Sequence, residues 1–123
     1  MPAWTTEELD AFGAADEIRI SAADDGAWSR PVPIWVVRVG DDLYVRSYKG
    51  RAGLWYQHLA RSRQGRISVG DLEREVAADV PGDDVTAAVD RAYAEKYAHH
   101  GDSYVQAMTA PDVVATTLRL ERR

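Results

Sequence analysis

The stretch from Ile34 to Tyr48 constrains the fold more than any other. Ile34 to Val39 is apolar at nearly every position, Gly40-Asp41-Asp42 is a turn signal, and Leu43 to Tyr48 then alternates. Leu43, Val45 and Ser47 share one face of that segment, and Tyr44, Arg46 and Tyr48 share the other. Two such runs joined by a glycine-bearing turn read as a β-hairpin. Being apolar on both faces, Ile34–Val39 is expected to be a central strand. Pro31 and Pro33 cannot donate to a ladder, so the residues just before it belong at a sheet edge or a bulge.

The segments on either side supply further strands. Ile18, Ile20 and Ala22 alternate with Arg19 and Ser21, and Asp24-Asp25-Gly26 marks a turn after them. Ile67 and Val69 alternate with Arg66 and Ser68. Gly70-Asp71 then turns the chain into Leu72 to Val80, where apolar and acidic positions alternate. Thr116 to Glu121 reads as a last strand with Leu118 and Leu120 inward.

Helices are expected in three places. Thr5 and Glu8 fit a capping box ahead of Leu9 and Phe12. Leu54, Trp55, His58 and Leu59 form one helical stripe, with Gly65 as its expected stop. Asp83 or Asp84 can cap a helix reaching about Ala98 with Val85, Ala88, Val89, Ala92 and Tyr97 on its buried side, and Gly101 closes that region. The sum is an α+β chain: a small barrel of about six mainly antiparallel strands with two or three helices, because closure removes the exposed edges of a flat sheet. All 123 residues fit a single domain, 1–123.

Composition excludes several chemistries. With no Cys there are no disulfides, no thiolate nucleophile and no cysteine-ligated metal. No apolar run is long enough to span a membrane, and Met1 to Glu8 lacks the basic and apolar regions of a signal peptide, so a cytoplasmic protein is expected. The formal net charge of −5 argues against general nucleic-acid binding. The charge is uneven, however: residues 28–74 carry nine Lys and Arg against four Asp and Glu, an excess of five positive charges in an acidic chain. Such a distribution suits a local anion site better than a polyanion track.

The richest binding chemistry sits just after the hairpin. Arg46, Ser47, Lys49, Gly50 and Arg51 precede the helix of Leu54 and Trp55. Glycines allow close backbone approach, the basic side chains supply charge, and a helix start adds attraction for an anion of about 0.3–1 kcal/mol. Tyr44, Arg46 and Tyr48 on one strand face could line a planar-ring pocket, or pack against a helix or a second subunit. Trp35 and Trp55 read as core residues first, and Trp28 as exposed rim. Among Tyr93, Tyr97 and Tyr104, nothing selects a proton donor. Ser21, Ser47 and Ser103 sit in no nucleophile pattern. No metal site is expected: His99 and His100 are adjacent, so they point apart on a helix, and His58 reads as a helix-surface or core residue.

The order of PVPIWVVRVGDDLYVRS, a basic glycine turn, WYQHL and GRISVG resembles the deazaflavin-dependent nitroreductase family. The chain as a whole is similar to a small, uncharacterised bacterial group related to that family. The resemblance runs over residues 17–121 and includes the Tyr104 region and ATTLRLERR. It implies a split β-barrel related to FMN-binding proteins, with FMN or a deazaflavin coenzyme as cofactor and oxidoreductase chemistry. By the same analogy Arg46, Ser47, Lys49, Gly50 and Arg51 hold the cofactor phosphate. Trp55 with Tyr56 matches an aromatic pair, and Arg30 matches a basic residue before the proline-containing strand. A homodimer is implied as well, since related flavoproteins often build the site between two copies. The chain departs from the family in its first hairpin, which lacks the longer GRxSG type of turn. The residues also fit a non-enzymatic module for a small anionic ligand, or a dimeric interaction protein, on the same fold.

Overall fold

A computed structural model of the chain describes residues 3–24 and 26–123. Met1, Pro2 and Asp25, the middle of the first expected turn, lie outside the described residues. Five α-helices and eight strands follow in the order α1 (Thr6–Ala14), β1 (Ile18–Asp24), β2 (Ala27–Trp28), β3 (Val32–Ile34), β4 (Val36–Val39), β5 (Asp42–Val45), α2 (Leu54–Ser62), β6 (Gln64–Val69), β7 (Leu72–Asp79), α3 (Thr86–Tyr97), α4 (Asp102–Met108), α5 (Pro111–Val114) and β8 (Leu118–Arg122).

All strand pairs are antiparallel, in the order β2-β1-β6-β7-β8-β5-β4, with β3 also on β1. The two halves of Val32–Val39 pair with opposite ends of this order. Ile34 and Val32 lie against Ile18 and Ile20 of β1, whereas Val36 and Val39 lie against Val45 and Asp42 of β5. One bent segment therefore curls the sheet round into a split half-barrel, with Trp35 at the bend. With that segment taken as one strand and the two-residue β2 set aside, six strands make up the barrel, as the alternation predicts.

The alternating apolar residues fill the interior. Ile18, Ile20, Ile34, Val36, Leu43, Val45, Ile67, Val76, Leu118 and Leu120 form one core, closed by Leu9 and Phe12 of α1 and Leu59 of α2. A second core lies outside the sheet, where Val37 and Tyr44 meet Val89, Tyr93 and Tyr97 of α3, Met108 of α4 and Val113 of α5. These two cores explain why Ile34–Val39 is apolar on both faces.

The expected central strand is nevertheless an edge. β4 pairs with β5 alone, and helix α3 supplies the partners that a further strand would give. The Val36 N–H donates to the Tyr97 hydroxyl at 3.1 Å, and the Val36 carbonyl accepts from Lys96 Nζ at 2.6 Å. Side chains thus cap an exposed ladder position, one of the ways an edge is protected from pairing with another chain. Burial of Lys96 in this role pulls its amine down to about 8, partly offset by the nearby Asp16 carboxylate.

Several local expectations need correction. The αL residue ending α2 is Arg63 (φ 63°), and Gly65 is instead a strand residue of β6. Only hydrogen sits at the Gly65 Cα because a Cβ there would meet Leu59 Cδ1 at 2.9 Å. Asp83 and Asp84 form a 3-10 turn rather than a side-chain cap on α3. The stretch after Gly101, with no helical stripe of its own, folds as α4 and α5, so the helices exceed the expected two or three.

The capping box does form, and its acid does more than cap. The Glu8 carboxylate accepts from Thr5 N at 2.9 Å, Arg74 Nε at 2.5 Å and Arg122 Nε at 2.8 Å. Burial pushes this carboxyl up, but the Thr5 amide and the two guanidiniums outweigh it and hold it at about 2. Glu8 thereby ties α1 to β7 and β8.

Candidate functional site

A cleft of about 530 Å³ opens where the bent strand changes partners. One wall is the bend itself, Val32 to Trp35, with Glu17 from the entry to β1. The floor and the opposite wall are Arg46 to Lys49, the segment Ala52–Trp55 that begins α2, and Tyr104 and Met108 of α4. Its size is within the ~300–1,000 Å³ typical of small-molecule sites.

The turn leaving β5 is tightly built. Ser47 N donates to Thr116 Oγ1 at 2.9 Å, and Gly50 N donates to Ser47 O at 2.8 Å. Gly50 adopts φ +63°, a left-handed conformation that a side chain would strain. A 3-10 turn over Gly50–Ala52 then delivers the chain to Gly53, the N-cap of α2, where no side chain caps the helix. The first amides of α2 therefore point out of the helix start without a side-chain acceptor.

Arg46 is the largest fully buried side chain. Its guanidinium joins three elements: Nη1 donates to Asp90 Oδ1 of α3 at 2.6 Å and to the Met108 carbonyl of α4 at 3.0 Å, and Nε donates to Thr117 Oγ1 at 2.9 Å. It also lies over the Tyr93 ring, 5.4 Å from the centroid. Nη2 has no partner among the described residues, and neither does Ser47 Oγ. Ser47 Oγ sits so close to Gly53 that a Cβ on the glycine would collide with it. An unpaired buried hydroxyl thus lies beside an uncapped helix start, and an unpaired guanidinium nitrogen lies in the neighbouring junction with α3 and α4, although most buried polar groups in folded proteins are satisfied.

The remaining sequence candidates divide. Gly50 is buried in the turn, and Lys49 is exposed, lines the cleft and has no acid partner among the described residues. Arg51 is exposed beside the turn without lining the cleft, and its carbonyl accepts from Gln57 Nε2 at 2.8 Å. Trp55 lines the cleft while its other side packs on the barrel core. Trp35 likewise serves both the second core and the cleft wall. Arg30 is exposed and does not line the cleft. Of the strand face expected to hold a ring, Tyr44 turns into the second core and Tyr48 stands at the rim, 56% exposed. Trp28 is exposed at the barrel edge under Arg66, whose guanidinium lies 4.2 Å from its ring centroid.

Tertiary pairing dissolves much of the basic excess seen in the sequence. Arg38 pairs with Asp10, Arg46 with Asp90, Arg74 with Glu8 and Arg66 with Glu75, so acids from outside the basic stretch neutralise it. Tyr93, a sequence candidate for proton donation, has its hydroxyl buried without a hydrogen-bond partner among the described residues, and that burial suppresses its acidity. Sequence reasoning missed Glu17 and Met108 and named Tyr104 without placing it. Neither Glu17 nor Met108 carries a motif. The entry to β1 brings Glu17 to the cleft, and the packing of α4 over the bend brings Tyr104 and Met108 there. The structure also corrects the reading of His99 and His100, whose rings come together at 4.2 Å, with both Nε2 atoms facing Asp16.

No helix among the described residues is long and apolar enough to cross a membrane. No curated protein matches the chain. Among solved structures, the fold is similar to a FAD-binding protein from Mesorhizobium loti: TM-score 0.66 and 16% identity, over 99% of this chain and 90% of that one. It is also similar to HutZ, the heme storage protein from Vibrio cholerae, with TM-score 0.62 and 11% identity over 88% and 82% of the two chains. A third likeness is to the FAD- and heme-binding protein from Mycobacterium smegmatis, with TM-score 0.58 and 19% identity over 94% of this chain and 64% of that one. At these identities the likeness is one of fold. The family described as "Uncharacterized protein conserved in bacteria (DUF2255)" matches residues 8–120, and with nearly the whole chain covered, the protein belongs to that family.

Proposed function

We propose that the cleft binds a flavin-type cofactor, FMN or a deazaflavin coenzyme, and that the protein uses it as an oxidoreductase. The observation that carries this reading is the unpaired buried hydroxyl of Ser47 beside the uncapped start of α2, with the Arg46 guanidinium, unpaired at Nη2, on the same cleft lining. Backbone amides at a helix start with a hydroxyl beside them are donors suited to a phosphate, and a guanidinium on the same cleft adds positive charge. An unpartnered hydroxyl can turn about its Cα–Cβ bond toward such a ligand. Lys49 adds an exposed positive charge on the same side, and Arg51 contributes at longer range. Trp35, Trp55, Tyr48 and Tyr104 offer ring faces and edges for a planar system, and the apolar wall from Val32 to Ile34 excludes water from it. When bound, the cofactor supplies hydride transfer, while the protein binds and orients it. The FAD-binding solved structures of similar fold support a flavin over other phosphate-bearing ligands.

Three large apolar side chains ring the opening: Leu54 at 71% exposed, Tyr48 at 56% and Tyr104 at 47%. They favour a second copy of the chain closing over the cleft, which sedimentation of the protein with and without cofactor checks.

The test is a fluorescence titration with FMN, FAD and a deazaflavin coenzyme in parallel. Saturable binding of one of them, weakened in Ser47→Ala and in Lys49→Ala/Arg51→Ala, supports the reading and names the cofactor. Binding without reduction of the cofactor by any nicotinamide or deazaflavin donor leaves a binding module on the same fold. Absence of binding to all three overturns the cofactor reading.

A further inference from the structure

Asp16, His99 and His100 converge from distant parts of the chain. Asp16 lies in the connection between α1 and β1. The two histidines occupy a 3-10 turn, Ala98–His100, that tightens the chain after α3 and stops at Gly101 with φ 109°. His99 Nε2 lies 3.3 Å from Asp16 Oδ1, and His100 Nε2 lies 3.0 Å from Asp16 Oδ2. One ligand atom from each of the three fits within 4.8 Å of the others.

With Zn–N and Zn–O bonds of about 2.0–2.2 Å, donor atoms on a tetrahedron stand about 3.3–3.6 Å apart, near the histidine–carboxylate separations here, and the three ligand atoms, within 4.8 Å of one another, need only draw together around an ion. The electrostatics point the same way. One divalent cation serves both imidazole nitrogens and the carboxylate together, since all three already face one point. Imidazole with one carboxylate selects borderline transition metals over Mg²⁺ and Ca²⁺, which take all-oxygen sets.

The neighbours hold the ligands in place. The His100 ring stacks on Trp35 at 5.0 Å between centroids and on Tyr97 at 5.9 Å. The Asp16 carbonyl lies 2.9 Å from the Tyr97 hydroxyl, which fixes the backbone of the third ligand. Trp35 is also a wall of the cleft. We propose that Asp16, His99 and His100 form a surface site for a divalent transition-metal cation of the Zn²⁺ class, one aromatic ring removed from the cleft. Three protein ligands leave a fourth position to water. The site stands independently of whatever the cleft binds.

Zn²⁺ titration calorimetry on full-length protein free of any histidine tag tests this. The expected result is saturable binding of one equivalent, weakened at least about tenfold in each of Asp16→Asn, His99→Ala and His100→Ala and unchanged in His58→Ala. Co²⁺ should quench tryptophan fluorescence with the same stoichiometry, and Trp35→Phe should remove most of that quenching while leaving Zn²⁺ affinity within a few-fold. Circular dichroism of the variants confirms that they fold. No saturable binding at sub-millimolar Zn²⁺, equal affinity in a His99→Ala/His100→Ala double variant, or loss of binding in His58→Ala would each overturn the proposal.

Discussion

Trp35 stacks on Tyr97 with ring centroids 4.0 Å apart and planes 2° from parallel. The contact joins the bend of the barrel strand to the end of α3, 62 positions away by the chain numbering. It sets the depth of the cleft wall, and it holds the Tyr97 hydroxyl against the free edge of β4 at Val36. One stacked pair therefore connects the strand edge, the cleft and the Asp16–His99–His100 cluster.

Tyr97→Phe keeps the stack and removes the hydroxyl. The Val36 amide then loses a buried acceptor, and an unsatisfied buried group costs about 1–3 kcal/mol. The variant is expected to unfold at lower denaturant with an unchanged slope, as chemical denaturation will show.

Ser47→Ala removes a hydroxyl that has no partner, so stability should hold within about 0.5 kcal/mol. Binding of a phosphate-bearing ligand should weaken. Gly53→Ala should destabilise, because its Cβ meets Ser47 Oγ, although φ −63° at Gly53 suits any residue. In the Ser47→Ala background the same change should cost much less. Thermal unfolding of the four proteins of this cycle checks the coupling.

Arg46→Met leaves Asp90 and the Met108 carbonyl without their donor and cuts the link between β5, α3 and α4. Asp90 is partly exposed, so the main cost is the buried Met108 carbonyl and the lost charged hydrogen bonds, on the order of 2 kcal/mol. The expected result is a protein that melts well below wild type, with α4 exchanging its amide hydrogens faster.

Glu8 predicts the acid limb of the stability profile. Its folded value of about 2 lies below the ordinary 4.5. The unfolded chain binds the proton more readily, so the contribution is full above about pH 4.5 and is lost as the pH falls through about 2. Glu8→Gln should lower stability at neutral pH by about 1.5–3 kcal/mol, the worth of hydrogen bonds to a charged group. It should also flatten the profile between those two pH values, which denaturation from neutral to acid pH measures.

Much of the fold was legible in the residues because its signals are local. Alternation at Ile18–Ala22, at Ile67–Val69 and at Leu118–Leu120 follows from the two-residue period of a strand, which a buried face imposes wherever the strand pairs. The Thr5–Glu8 box needs only four consecutive residues. The turn from Arg46 to Arg51 was recognisable by its glycine and its charges, and its first part, Arg46 to Lys49, lines the cleft.

What the tertiary structure alone decided is which distant groups meet. Ile34–Val39 reads as central because it is apolar on both faces, yet a helix can bury the second face as well as a strand can, and here α3 does so. Much of the basic excess of residues 28–74 goes into ion pairs because charge cancellation depends on distance in space. Adjacent histidines diverge on an ideal helix, and only the 3-10 turn and an aspartate 84 positions away bring them to one point. Sequence periodicity records what each residue faces, inward or outward. It carries no record of which partner waits there, because partner choice is settled by the packing of the whole chain.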